Sequence, residues 1–359
     1  GLSATRLRHL LSRLQRPDVS GLPRLIIKDL RNKYSRGFGQ HNIHRQLTHA
    51  QMDELLQLEP GLIDNSNFIH AYLTKLAPSN DIDTRFDLEE RGKHLNRIHQ
   101  FTQRLSAAHN SLKANAMFNL LRFQQSQGKH DRALFMQYLR LPRPVGYINP
   151  KYREALLKRP GNADVNLNAD YRQVTGLPPI GPDERLVHDF FLHFFKGDAD
   201  FNQYLPVVRD TYLKALFAEA KLVNGVGDAE RWYSMLSSSQ VQALRERIDL
   251  DFSAVNKVFY PAQAPVSLRV NVKNVKQLIV RVFEINTFNY YTRNLKLIDT
   301  AINLDGLAPT REQVFRYDEA PFRRVERKFD FPELKERGVY VVELIGNGRS
   351  SRALITKGS

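Results

Sequence analysis

Eleven histidines and no cysteine set the terms on which this chain could do chemistry. His41, His44 and His49 crowd into "HNIHRQLTH". Their spacing matches no metal-binding motif, and the stretch reads as a loop running into a helix. His94 and His99 are five residues apart, as are His188 and His193. At about 100° per residue, each pair is spread roughly 140° around a helix and does not face one ion. With no thiolate, the chain lacks disulfides, cysteine metal sites, a cysteine nucleophile and an internal thioester. Glu89 and Glu90 are adjacent, so they diverge on a helix. Gly225 and Gly227 in "NGVGDAE" follow a helix, not a strand, and read as a helix C-cap rather than a dinucleotide cradle. Ser350 and Ser351 lie in a hairpin with no histidine nearby in sequence. No nucleophile elbow, phosphate loop or kinase set occurs. The reading is a non-enzymatic chain with no catalytic residue, no metal and no cofactor.

Charge is the next signal. The 359 residues carry a formal net charge of +15, which favours anionic partners. The first 36 residues hold nine cations against Asp18 and Asp29. Arg6, Arg8, Arg13, Arg16, Lys28, Arg31 and Lys33 are the candidate anion contacts. The alternative is a docking segment: Leu7, Leu10, Leu11 and Leu14 form an apolar helical stripe that packs on later helices and leaves the arginines in water. Aromatic residues that would stack bases are not interleaved with these cations, which argues against nucleic acid. No apolar run approaches the ~20 residues of a membrane-spanning helix.

Two periodicities divide the chain. Residues 1–250 read as a helical domain, with 1–36 as a basic arm. "LTHAQMDELLQL" opens with a capping box of Thr48 and Gln51. Further helices are expected over 85–106, 108–127 and 130–139, and from "DERLVHDFFLHFF" to "SSQVQALRERI". From about residue 256 the period becomes two. About seven short strands follow over 256–359, a spacing that predicts an antiparallel β-sandwich. The seam is expected between 248 and 262.

One strand poses a question. In "GVYVVELIG", Tyr340, Val342 and Leu344 should face the sandwich core, with Leu334 capping it. Val339, Val341 and Ile345 then face outward, interrupted by Glu343. Apolar side chains lined up on a sheet exterior mark a covered face. The sequence therefore predicts that Val339, Val341 and Ile345 contact another domain.

The segment "RRVERKFDFPELKERGVYVVELIGNGRSSRALI" resembles the macroglobulin-type domains of large bacterial alpha-2-macroglobulin-like proteins. Phe331, Pro332, Leu334 and the run from Gly338 to Val342 carry the resemblance, and "VKNVKQLIVRVFEINTFNYY" extends it. It implies an α+β multidomain chain, in which an all-α domain precedes a macroglobulin or fibronectin-III-like sandwich. It also implies a fragment of a longer protein, secreted or in the cell envelope, that works by protein–protein contact. Neighbouring domains, and proteases if the parent traps them, would be the partners. The second reading is an electrostatic module for an anionic polymer, nucleic acid or acidic polysaccharide.

Overall fold

Ser3 opens the first helix of the computed structural model, which describes residues 3–358 apart from the side chain of Arg293. The Ser3 hydroxyl accepts from the Arg6 amide, the usual service of a serine N-cap. The helix α1 (Ala4–Arg13) buries Leu7 and Leu11. Two short elements follow, α2 (Leu22–Leu30) and α3 (Ile43–Gln46). In α4 (His49–Leu58) the capping box forms in both directions between Thr48 and Gln51. The remaining helices of this region are α5 (Ser66–Lys75), α6 (Leu88–Thr102), α7 (Asn110–Ser126), α8 (Arg132–Leu139), α9 (Pro150–Leu157) and α10 (Arg172–Thr175). Leu7, Leu11, Ile26, Leu55, Phe68 and Leu73 share one core. The leucine stripe of α1 thus docks its segment, as amphipathic helices in globular domains do.

Four more helices precede the strands: α11 (Glu184–Gly197), α12 (Asp210–Asn224), α13 (Ala229–Tyr233) and α14 (Ser238–Glu246). Phe195 of α11 packs edge-on against Tyr204 and against Phe217 of α12.

Eight strands follow. A three-stranded sheet has the order β1-β3-β6, from β1 (Asp249–Phe252), β3 (Ser267–Lys273) and β6 (Arg324–Asp330). A five-stranded sheet has the order β2-β8-β7-β4-β5, from β2 (Phe259–Tyr260), β4 (Gln277–Ile285), β5 (Arg311–Arg316), β7 (Gly338–Gly346) and β8 (Arg349–Lys357). One more helix, α15 (Thr287–Asn294), sits between β4 and β5. All pairings are antiparallel except β2 with β8, which is parallel. That pairing departs from the all-antiparallel expectation. The sandwich core joins Leu268, Val270 and Val272 of β3 to Val280 and Val282 of β4. Tyr340, Val342, Leu344 and Leu334 belong to the same core, as alternation along the strand requires. The Tyr340 hydroxyl donates to the Glu336 carbonyl at 3.0 Å, a tyrosine-corner contact.

The described residues form two compact units. The first runs to Phe123 and resumes over Asp131–Asp183; the second takes Gln124–His130 and everything from Glu184 onward. The change from helix to strand at Asp249 therefore falls inside the second unit, whose helices α11–α14 pack with the sandwich.

Candidate interaction surface

The outer face of the five-stranded sheet is built in rows. Register sets Val341 opposite Phe283 and Leu354, and Glu343 opposite Arg281 and Arg352. Arg281 in turn stands opposite Glu312. The second row is thus a ladder of alternating charge, Glu312–Arg281–Glu343–Arg352, across four strands. Arg281 Nε lies 2.7 Å from Glu312, and Arg352 Nη2 lies 2.8 Å from the buried Glu343. Opposite charges directly across strands support one another.

Beyond that ladder the face is apolar and covered. Val341 is 0% exposed and clusters with Phe283, Ile285, Ile302 and Leu304, joined by Tyr290, Ile298 and Leu354. Four of those side chains, Phe283, Ile285, Val341 and Leu354, stand on the sheet's own strands. Tyr290, Ile298, Ile302 and Leu304 come from the 286–310 segment, which lies over the sheet. Arg352 reaches from the ladder to donate to the Ile302 carbonyl at 2.6 Å, which ties the segment down. The cover over Val341 is therefore supplied by the sandwich's own insertion, where the sequence pointed to another domain. Val339 and Ile345 are half-buried on the same face.

A second charged region lies within the second unit, where α11, α12 and α14 meet β1 and β6. Glu219 of α12 accepts from Arg247 Nη1 at 2.7 Å and lies 3.3 Å from His188 Nε2. Arg247 also reaches Asp249 of β1 at 2.7 Å, and Arg324 of β6 approaches the same carboxylate at 3.2 Å. Lys273 of β3 donates to the Leu244 and Arg247 carbonyls at the end of α14, where cations complement the helix dipole. Burial works against the charge of His188, but Asp189 and Glu219 outweigh it and push its pKa to about 9. Burial likewise opposes ionisation of Glu219, yet His188 and Arg247 hold it at about 2. His188, Asp189, Arg247, Asp249 and Arg324 line a cleft of about 750 Å³ together with His193, Lys196 and Arg323. Opposite charges meet throughout this network, so its evident work is to bind helices to strands.

The sequence-singled residues take separate roles. His41 lies 3.6 Å from Asp29, His44 stacks on Phe38, and His49 packs against Tyr72. Burial and the neighbouring His41 lower His44 to about 4. His193 stacks on His130 rather than joining His188. Glu89 and Glu90 both reach Lys93, at 2.8 and 2.9 Å. Gly225 caps α12 in the left-handed region, as its position after a helix predicted. Of the basic candidates, Arg6, Arg13, Arg16 and Lys28 are exposed. Arg31 is engaged by Glu59 at 2.9 Å, and Arg8 and Lys33 lie over the Tyr34 ring.

Sequence reasoning missed the most deeply buried charge of the first unit. Asp183 accepts from Tyr138 at 2.7 Å, Tyr147 at 2.6 Å and Arg143 Nη1 at 2.8 Å. Arg143 is 0% exposed, donates to the Tyr138 carbonyl and lies over the Tyr138 ring. Burial pushes both phenols up, so they stay neutral donors. The aromatic and basic density of "YLRLPRPVGY" was the available signal.

A helical region followed by an immunoglobulin-like β-sandwich is the class these elements define. The actin-binding protein F N-terminal domain matches residues 1–248, and the first immunoglobulin-like domain of AbpF matches residues 278–358. The chain belongs to the actin-binding protein F N-terminal domain family. Actin-binding protein F of Dictyostelium discoideum is 34% identical to it over 341 residues, covering 92% of this chain and 14% of that protein. The chain thus spans about one seventh of the length of the relative it matches. No solved structure is a significant match.

These matches overturn the macroglobulin resemblance, which rested on a strand–turn–strand pattern that many sandwiches share. The bacterial source, the protease partners, the fragment-of-macroglobulin role and the secreted or envelope location all depended on that resemblance and fall with it. The anionic-polymer alternative finds no support in the family either. Among the described residues, no helix is long and apolar enough to cross a membrane.

Proposed function

We propose that this chain is a non-catalytic actin-binding segment of a cytoplasmic, cytoskeleton-associated protein. The observation that carries this reading is the 34% identity to an actin-binding protein over 341 residues, a stretch that includes both the helical region and the sandwich. Two features agree with it. The surface is strongly basic, with a net charge of +15, which speeds and orients encounter with an acidic protein surface. The charged network of the second unit consists of groups already paired with one another, which suits a rigid binding body better than a reactive centre. Arg6, Arg13, Arg16 and Lys28, exposed on the helical region, are available to such a partner. The first unit and the second, which joins helices α11–α14 to the sandwich, would act as two modules, with Val339 and Ile345 open to a neighbouring domain.

Co-sedimentation with filamentous actin tests the reading. The chain is expected in the pellet in proportion to filament concentration, with affinity falling as salt rises. A chain that stays in the supernatant at every filament concentration overturns it.

A further inference from the structure

The 286–310 segment that covers Val341 is apolar on two sides. Its inner side chains, Tyr290, Ile298, Ile302 and Leu304, hold it to the sheet. Its outer ones face solvent: Phe288 is 75% exposed, Leu295 80% and Leu297 83%, with Tyr291 and Leu307 also exposed. Single exposed apolar residues are ordinary. Several large ones on one short segment mark an interaction site, and aromatic and leucine anchors are what such sites use.

Leu295 adds an independent observation. It ends α15 with φ 51° and ψ 30°, in the left-handed region. That conformation is strained for a branched side chain and free for glycine. The usual compensation is burial, but this side chain buries almost nothing within the chain. The strain is therefore unrewarded unless something outside covers it, and stored strain of this kind collects at functional sites.

The surroundings indicate what covers it. Lys296 stands exposed between Leu295 and Leu297. Leu307 shares a groove of about 530 Å³ with Ile345, Arg349, the paired Arg281 and Arg352, and the carboxylates Glu343 and Asp305. An apolar strip flanked by the exposed Lys296 and Arg349, on a chain of net charge +15, complements an acidic protein surface with an apolar centre. We infer that this ridge, led by Phe288, Leu295 and Leu297, is the surface through which the chain contacts filamentous actin. The inference rests on the actin-binding reading given above.

Three proteins decide it: the wild type, Phe288→Ser/Leu297→Ser, and Leu295→Gly. Each is assayed by actin co-sedimentation, thermal unfolding and sedimentation velocity. The double substitution is expected to weaken actin binding by about tenfold or more while leaving unfolding unchanged, because the inner side chains stay. Leu295→Gly is expected to weaken binding while holding or raising the unfolding temperature, since it relieves the backbone; a purely structural leucine would not separate the two. Wild type and both variants binding equally overturns the ridge but not the actin reading. A wild type that binds no actin overturns the actin reading and the ridge with it. A wild-type dimer that the double substitution converts to monomer assigns the ridge to a second copy of this chain and also overturns the inference.

Discussion

The two compact units each bury charge, and they do so in opposite ways. In the first, one carboxylate, Asp183, collects a guanidinium and two phenols inside the core, with Arg143 fully enclosed. In the second, carboxylates and cations alternate in a chain from His188 to Arg324, and His188, Arg247, Asp249 and Arg324 line an open cleft. The first arrangement uses neutral donors to satisfy one charge pair. The second includes His188 and Glu219, whose pKa values their partners push in opposite directions. A buried pair costs most when one partner is removed, whereas a distributed network re-pairs.

The sharpest way to break that contrast is Asp183→Ala. It strands a buried guanidinium and two buried hydroxyls, and should destabilise the first unit by about 3–5 kcal/mol. Hydrogen exchange over α8 would read the loss; unchanged protection there would show that Arg143 finds another partner. Arg247→Ala removes the hub of the second network but leaves His188 on Glu219, so a smaller cost of about 2–3 kcal/mol is expected. The measurement is exchange over α12 and β1, and a cost equal to that of Asp183→Ala would erase the distinction.

The third test is pH. His188 has a folded pKa of about 9, raised above its usual 6.5. Its contribution is complete below about 6.5 and is lost as pH rises toward 9. Glu219, held at about 2 against a usual 4.5, contributes above about 4.5 and loses that support as pH falls toward 2. Lys273 runs the other way: burial lowers it to about 8 against the pull of Asp249, so its cost to the fold is relieved as pH rises above about 8. The second unit should therefore weaken between pH ~6.5 and ~8, by up to about 2 kcal/mol, while the first unit holds. Exchange rates, corrected for their intrinsic pH dependence, would show it, and parallel weakening of both units would refute it. The smallest effect is Tyr147→Phe, which removes one of three donors to Asp183 and should cost about 1 kcal/mol; thermal unfolding would register it as a modest shift.

The legible parts of this fold were those encoded by neighbours in sequence. The capping box at Thr48 and Gln51 needs only a spacing of three, and both of its bonds form. Tyr340, Val342 and Leu344 point inward because side chains alternate along a strand. The illegible parts depend on register and long-range meeting. Glu343 read as an interruption in an apolar strand, because only strand pairing brings Arg281 and Arg352 beside it. The source of Val341's cover was equally hidden, since α15 hides in a sequence of asparagine and aromatic residues with weak helical preference. Asp183 sits in a loop rich in proline and glycine, and its three donors come from 36 to 45 residues upstream. The misplaced family followed from the same limit: a hairpin pattern specifies a sandwich, and sandwiches serve unrelated proteins.

The parallel pairing of β2 with β8 has a mechanical meaning. The Thr356 amide donates to the Val258 carbonyl at 2.7 Å and the Gly358 amide to the Tyr260 carbonyl at 2.9 Å. Because the two strands run the same way, tension applied between residue 258 and residue 358 slides them past each other. The bonds between them then bear load together instead of opening in turn like a zipper. Rupture of such a clasp therefore requires its bonds to fail at the same time.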